Sequence, residues 1–382
     1  MDILPQRSLR EAIAASLRED RQLLDTLRAE IRPLRDQVRR LNPRMTTSIS
    51  LIGTDGGNNQ VRFDPFLVHI IRVVDSSANE YCLDVVTPST SVAALGARQF
   101  NADGSPRTAL GRLMAYLGVR TLPQLSQMIR ENEDGQPVSP GWVQSYRELV
   151  EWAILFSVAR EKDFGTDTLI VYDGLLRARA FAGNLFQRTM QGIAEGIRLQ
   201  QQRYHRRIYL AGVAKHSKAL DRYRLAMALE GVLATSYPAF VEIPREIEEK
   251  AYLHEEYARG DDRELAPGQI NRYVGGKMFF VKFGSGPRDP IWPVDIAVSQ
   301  LAEAPAILGA MYADAVNGFP VPFYPRCLQR AHEHAALAGF DAGVIQDYIF
   351  DGIRALLADE SPALDAFRLQ EYDPARHRYD QE

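Results

Sequence analysis

Short runs rich in β-branched residues alternate along this 382-residue chain with longer runs of helical periodicity. The strand-like runs are bounded by Gly, Asn, Asp or Ser; they cover residues 47–54, 66–74, 81–86, 168–172, 208–213, 274–283 and 292–298. The helix-like runs cover residues 145–160, 176–204, 215–234, 325–339 and 342–357. Interleaved strands and helices of this kind predict an α/β fold with a mixed sheet flanked by helices.

The pattern also predicts three segments along the chain. A charged helical segment occupies residues 1–44, the main core covers residues 45–340, and a helical tail covers residues 341–382. The core is expected to carry insertions near 101–141 and 240–272. Within the first insertion, short helices are expected near 109–117 and 122–132.

The N-terminal segment has a narrow apolar stripe with Arg, Asp and Glu on its other faces. A long amphipathic run with little apparent partner in a compact core favours contact with a second copy. We therefore expect a homodimer that uses the N-terminal helices or the C-terminal segment.

Composition and charge exclude several classes of protein. The chain has 45 Lys and Arg against 49 Asp and Glu, so a globally basic nucleic-acid coat is excluded while a local basic groove is not. Two cysteines, Cys82 and Cys327, cannot form a Cys₄ zinc site or a disulfide framework, and the cytoplasm is the simplest setting. No apolar stretch approaches about 18 residues, so we expect no membrane contact.

The sequence lacks the short motifs of several common enzyme classes. It has no GxxxxGK[ST], and the nearest run, Gly275-Gly276-Lys277-Met278, precedes more apolar residues rather than a phosphate-binding helix. No GxGxxG follows a strand, and GxSxG, HExxH and CxxC are absent. P-loop ATPases, dinucleotide enzymes, α/β-hydrolases and zinc proteases are therefore disfavoured.

Two strand-like runs are each followed directly by Asp-Gly, at Asp55-Gly56 and at Asp173-Gly174. A buried strand presents such a carboxylate at a sheet edge, and two carboxylates on neighbouring strands can bind hard divalent cations. Two such cations can support phosphodiester hydrolysis. Asp-Gly is also a common turn, so for the pair the turn and the metal ligand remain equally good interpretations.

A third acidic ligand is expected from the helix before the second of these strands. Glu148 and Glu151 lie there three residues apart, near one face. Later in the chain, His332 and His334 are two residues apart and diverge by about 200° on a helix, so only one can reach a given site. Each of these side chains could instead be an ordinary surface residue of its helix.

The densest basic cluster follows the helix after Asp173. Arg203, Arg206 and Arg207 are candidate DNA contacts in this cluster, and Arg177, nearer the Asp-Gly turn, is a fourth. Arginine side chains suit phosphate binding. Cations at the end of a helix also offset its dipole, and the two interpretations have equal weight.

Several short motifs, taken in order, resemble the NurA nucleases. They are strand-Asp55-Gly, Arg147-x-x-x-Glu151, Tyr172–Leu175, Gly212–Ser217, Pro293–Asp295, Phe319–Phe323 and Leu328–Ala335. The resemblance spans about residues 45–340. It implies an RNase H-like core, DNA as substrate, Mn²⁺ or Mg²⁺ as cofactor, and a HerA-like hexameric ring ATPase as partner.

Carried over residue by residue, the resemblance assigns metal-binding and catalytic roles to Asp55, Glu151, Asp173 and His332. It also makes Lys215 a contact for the scissile phosphate.

Two features bear on these assignments. The Pro-Val-Asp motif adds Asp295 as a further candidate, and Glu148 leaves the helix ligand uncertain by one turn. The first site departs from the family's usual Asp-Gly-Ser, since Gly57 stands where the Ser would be.

The leading hypothesis is thus a Mn²⁺- or Mg²⁺-dependent deoxyribonuclease that processes DNA ends, as an exonuclease and also as an endonuclease. DNA repair by end resection and antiphage defence are both compatible settings. One alternative is a non-catalytic adaptor or clamp on a HerA-like translocase. Another is a metal phosphoesterase that acts on RNA or nucleotides.

Overall fold

The computed structural model describes residues 6–43, 49–63, 66–252, 271–336 and 339–357. The chain divides into two compact units, Met1–Ala335 and Ala336–Glu382. The first unit contains the sheet and the N-terminal helices, and the described part of the second is one helix.

The helices of the first unit are α1 (Gln6–Glu19), α2 (Arg21–Ile31), α3 (Val92–Ala97), α4 (Ala109–Leu117), α5 (Leu122–Leu125), α6 (Trp142–Glu161), α7 (Leu185–Tyr204), α8 (Lys218–Glu230), α9 (Arg245–Glu249), α10 (Ala304–Ala315) and α11 (Arg326–Ala335). Short 3₁₀ helices cover Arg32–Gln37 and Val298–Glu303. The second unit contains α12 (Gly339–Leu357). No described helix is long and apolar enough to span a bilayer.

The strands are β1 (Arg39–Arg40), β2 (Ile49–Phe63), β3 (Phe66–Asp75), β4 (Glu80–Val86), β5 (Asp167–Asp173), β6 (Ile208–Val213), β7 (Ala239–Glu242), β8 (Gly276–Lys282) and β9 (Ile291–Ala297). Together they form one sheet in the order β1-β7-β8-β9-β6-β5-β2-β3-β4.

The topology of the sheet confirms the predicted fold class. β2, β3 and β4 form an antiparallel meander, while β5 and β6 run parallel to β2 on its other side. This strand order, 3-2-1-4-5 with the second strand reversed, is that of an RNase H-like sheet. β9, β8, β7 and β1 extend it by antiparallel pairing.

Apolar side chains cover both faces of the central strands. On one face, α4, α6 and α7 pack with β5 residues such as Ile170 and Tyr172. On the other face, α10 and α11 pack with Leu169 and Val171. The alternation along β5 places neighbouring residues on opposite faces, so this strand is buried on both sides and its end is rigidly held.

Part of the N-terminal segment packs against another helix of the same unit. α2 packs against α8, with Ile31 and Leu34 buried beside it. Arg28 and Arg32 both donate to Glu230, at 2.6 and 2.8 Å. This packing covers the C-terminal part of the apolar stripe of α2, whereas Leu23 near its start is exposed. On α1, in contrast, the apolar side chains are exposed: Leu9, Ile13 and Leu17.

Three predicted elements differ from the structure. β2 does not end before Asp55 but continues to Phe63, because antiparallel pairing with β3 extends the strand through the Asp-Gly-Gly-Asn-Asn sequence. The helix expected over 122–132 is only the single turn of α5. The helix expected from residue 176 begins at Leu185, since the preceding backbone bonds to other parts of the fold; Leu176 N, for instance, donates to the Asp295 carboxylate at 3.1 Å.

Asp75, at the end of β3, is a buried carboxylate with several donors. Asn79, Tyr81 and Lys162 donate to it at 2.8 to 3.1 Å. Burial alone would raise the pKa of Asp75, but these hydrogen bonds outweigh it and lower the pKa to about 2. The ionised form is therefore favoured by folding.

We expect Asp75 to make stability depend on pH in the acidic range. Its folded pKa lies below its unfolded value near 3.8, so its contribution is complete above about pH 5 and is lost as the pH falls towards 2. The loss should be about 2 kcal/mol in the free energy of unfolding, measured by urea denaturation between pH 7 and the lowest pH at which the fold persists. Asp75→Asn should lack this part of the pH dependence. Parallel pH curves for the two proteins would refute the assignment.

Candidate active site

Asp173 is the last residue of β5, a strand flanked by parallel neighbours on both sides. The next residue, Gly174, has a φ of +143°, and a Cβ there would lie 2.9 Å from the Tyr172 ring. A side chain at position 174 would therefore strain the turn. The local sequence thus fixes where the strand ends, and it presents the Asp173 carboxylate at the C-terminal end of this central strand.

Two side chains from distant parts of the chain hold this carboxylate. The Tyr324 hydroxyl donates to Oδ1 at 3.1 Å, and Lys215 Nζ lies 3.5 Å from Oδ2. The Asp173 side chain is 16% exposed and that of Lys215 is 46% exposed, so the pair opens to solvent. The structure therefore brings together the sequence-predicted Asp173 and Lys215.

Sequence reasoning missed Tyr324. It directly follows the Phe319–Phe323 motif, but its contact with Asp173 joins residues 151 positions apart. Its ring packs edge-on against Trp292 with centroids 4.8 Å apart, and Lys215 Nζ lies 5.8 Å from its centre. These contacts orient the hydroxyl towards Asp173, and no local sequence pattern indicates them.

Asp55 lies beside Asp173 by backbone register. The parallel pairing of β2 with β5 runs up to Thr54, which pairs with Tyr172. Residue 55 is therefore next to Asp173 in the sheet. From this residue onwards, β2 is paired only with β3. The predicted strand end is wrong, yet the predicted juxtaposition of the two positions along the backbone holds. The Asp55 side chain lies outside the described part of the structure.

The helix glutamates approach from the other face of β5. Glu151 lies 3.3 Å from Arg147 and accepts a hydrogen bond from the Tyr172 hydroxyl at 3.2 Å. Since Tyr172 and Asp173 are consecutive in a strand, their side chains point to opposite faces. A metal shared by Glu151 and Asp173 would have to lie at the end of the strand. Glu148, one turn earlier, is half-buried, and burial raises its pKa to about 7.

The histidines lie on α11, which packs on β2 and β3 from the Asp173 face of the sheet. His332 is exposed and His334 is half-buried, which agrees with their divergence on the helix.

The basic cluster lies at the opposite end of the central strands from Asp173. Arg203 lies in the last turn of α7, and Arg206 and Arg207 precede β6, near the first residues of β5. The length of β5 separates them from Asp173 by about 20 Å. A cavity of about 710 Å³ also lies at this end of the strands, and Arg198, Arg207 and Gln300 help to line it.

Arg177 cannot serve as the DNA contact predicted for it, because its guanidinium is fully buried and already engaged. It binds both oxygens of Asp295, at 2.9 and 3.0 Å, and also contacts Glu248. Arg245 donates to Glu248 at 2.9 Å. Asp295 and Arg177 are thus parts of an interior ionic cluster, which explains the Pro-Val-Asp motif structurally.

A divalent metal fits the chemistry of the strand end only in part. Asp173 offers carboxylate oxygens that suit Mn²⁺ or Mg²⁺, and it is partly open to solvent. Among the described side chains, however, no group of three His, Cys, Asp or Glu residues is placed to hold a metal ion. A complete site would therefore require Asp55.

Solved structures of NurA are similar to this chain over most of its length. The NurA nuclease from Sulfolobus solfataricus is 11% identical, with 93% of this chain and 99% of that chain covered and a TM-score of 0.44. NurA bound to dAMP and manganese is 9% identical, with coverages of 88% and 94% and a TM-score of 0.40. A NurA structure with manganese is 10% identical, with coverages of 92% and 98% and a TM-score of 0.41.

No protein-family model matches the chain, and no curated protein sequence matches it. With identities and TM-scores this low, the function has to be argued from the residues of the chain itself.

Proposed function

We propose that this chain is a metal-dependent DNA nuclease that processes DNA ends in the manner of the NurA family. One observation carries the proposal: the register of β2 and β5 sets residue 55 beside Asp173, with Lys215 Nζ 3.5 Å from the Asp173 carboxylate. Two strand-borne carboxylates and a neighbouring cation on an RNase H-like sheet suit phosphodiester hydrolysis.

In this proposal, Asp55 and Asp173 hold Mn²⁺ or Mg²⁺, with Glu151 and His332 as further ligands. Such a metal would activate water and stabilise charge on the leaving oxygen. Tyr324 fixes the rotamer of Asp173 by its hydrogen bond. The half-exposed ammonium of Lys215 binds and orients the phosphate that faces Asp173.

DNA is the proposed substrate, and Arg203, Arg206 and Arg207 are proposed to bind its backbone away from the cut. Their distance from Asp173 means that they would contact phosphates several nucleotides along the strand. This basic edge would supply affinity that falls with increasing salt, without reading sequence.

The proposed assembly includes a second copy of this chain and a HerA-like hexameric ATPase. The motor must be a separate protein, since the sequence has no P-loop. The exposed apolar face of α1 is the proposed surface for the second copy. Both cysteines are free thiols, which suits the proposed cytoplasmic setting, in DNA-end resection or antiphage defence.

The direct test is cleavage by the purified chain with Mn²⁺, on linear DNA, RNA and small phosphoesters in parallel. Cleavage of DNA supports the proposal. Preference for RNA or small phosphoesters would instead indicate a general phosphoesterase. A protein that binds DNA or the ring ATPase but cleaves nothing, with or without the ATPase, would be an adaptor.

His332→Ala is expected to lower turnover on linear DNA at least about tenfold, since a ligand or a general acid at this position acts in the reaction itself. His334→Ala, which alters the other side of the same helix, should remain near wild type. Initial rates with Mn²⁺ at saturating DNA measure both. Equal losses in the two variants, or a loss only in His334→Ala, would contradict the role proposed for His332.

A further inference from the structure

A short loop between α10 and α11, residues 316–325, is held tightly against the fold. The buried amide of Gln329 accepts from Val321 N at 2.8 Å and donates to the carbonyls of Val321 and Tyr324, each at 3.0 Å. A Cβ on Gly318 would lie 2.4 Å from the Tyr324 carbonyl oxygen, so the loop packs closely on itself. We call this segment the Gln329-clamped loop.

One end of the Gln329-clamped loop is tied to the candidate active site. Tyr324 donates to Asp173 at 3.1 Å, and its ring contacts both Trp292 and Lys215. The position of this loop relative to the carboxylate is therefore fixed by side-chain contacts.

The other end of the loop presents an exposed aromatic ring. Phe319 is 79% exposed, and Val321, two residues further along the chain, is 41% exposed. Phe319 and Tyr324 are five positions apart in the chain, so their Cα atoms are at most about 18 Å apart. Single exposed apolar residues are ordinary, but this one stands on a rigid loop that also holds the carboxylate.

We propose that Phe319 is a stacking contact for a base of single-stranded DNA whose backbone leads to Asp173. The proposal rests on DNA being the substrate. An aromatic face stacks on any base without reading sequence. Lys215, beside Tyr324 at the other end of the loop, would bind a phosphate of the same strand. A base held in a duplex cannot stack on a side chain without leaving its partner. The enzyme would therefore act where the strand is single or frayed.

The test is binding in EDTA, where no cleavage occurs, to a single-stranded oligodeoxynucleotide that carries a 2-aminopurine. Affinity is measured by anisotropy and stacking by quenching of the 2-aminopurine. Phe319→Ala should weaken binding about fivefold to a hundredfold and reduce the quenching. Phe319→Trp should restore both. Leu229→Ala, which removes an exposed apolar side chain from the far end of α8, should bind as wild type does.

An abasic strand of the same length separates stacking from a disturbed loop. Wild type and Phe319→Ala should bind this strand equally. The proposal is overturned if Phe319→Ala binds the normal strand like wild type, as a role in contacting another protein would predict. It is also overturned if the loss persists on the abasic strand, or if Phe319→Trp fails to restore binding.

Cleavage of DNA by the wild-type protein, with Mn²⁺ added, distinguishes this proposal from the proposed function. A wild type that cleaves DNA beside an unaffected Phe319→Ala rejects the stacking contact alone. A wild type that stacks the base but does not cleave rejects the nuclease alone. A wild type with no affinity for single strands rejects the stacking contact, whatever its activity.

Discussion

Asp173→Asn is expected to reduce DNA cleavage at least about a thousandfold while leaving the fold intact. The substitution keeps the shape of the side chain, and its carbonyl can still accept from Tyr324, but the charge that attracts a divalent cation is lost. Metal stabilisation of a phosphoryl transition state is worth several kcal/mol, and each 1.4 kcal/mol changes the rate about tenfold. Single-turnover rates with saturating Mn²⁺ measure the loss.

The same variant has a readout that does not depend on catalysis. Calorimetric titration with Mn²⁺ should show binding to the wild type and a weakened or absent site in Asp173→Asn and in Asp55→Asn. Asp163→Asn is the matched control, because Asp163 is an exposed carboxylate just before β5, at the end of the strand opposite Asp173. Full activity or unchanged Mn²⁺ binding in Asp173→Asn would eliminate the metal site as proposed.

The elements that position Asp173 could be predicted from sequence because their signals are local. A buried parallel strand is a continuous apolar run, and Asp173-Gly174 marks its end in the sequence itself. The strand before Lys215 was found in the same way. The residues directly before Asp55 have the same apolar pattern, and the pairing of β2 with β5 confirms that they form a strand.

The errors arise where a distant partner overrides a local preference. Residues 55–59 are typical of a turn, but β3 lies alongside them and supplies the hydrogen bonds that extend β2. Likewise, the segment from residue 176 has helical periodicity. The Asp295 carboxylate, 119 positions away, nevertheless accepts a hydrogen bond from the Leu176 amide. Tyr324 was missed for the same reason, since nothing near it in sequence points to Asp173.

The ionic cluster around Arg177 is another contact between distant residues that no local sequence pattern indicates. In sequence, Arg177 is one arginine among many that follow a strand, and a DNA contact is a reasonable prediction. In the structure it is a buried cation that pairs with Asp295 and, together with Arg245, with Glu248. Burial raises the pKa of Glu248, as expected for a carboxylate that depends on its neighbours to remain charged.

Arg177→Met should therefore destabilise the protein by about 3–5 kcal/mol, the usual cost of removing one partner from a buried ion pair. Urea denaturation at neutral pH measures this change. Arg179→Met is the matched control: it removes an exposed arginine two residues along the same segment and should cost no more than about 1 kcal/mol. If Arg177→Met does not fold, Arg177→Lys should give a smaller, measurable loss, because the ammonium keeps the charge but not the two-point contact with Asp295. If Arg177→Met instead kept wild-type stability and lost affinity for DNA, the arginine would belong to the DNA-binding surface after all.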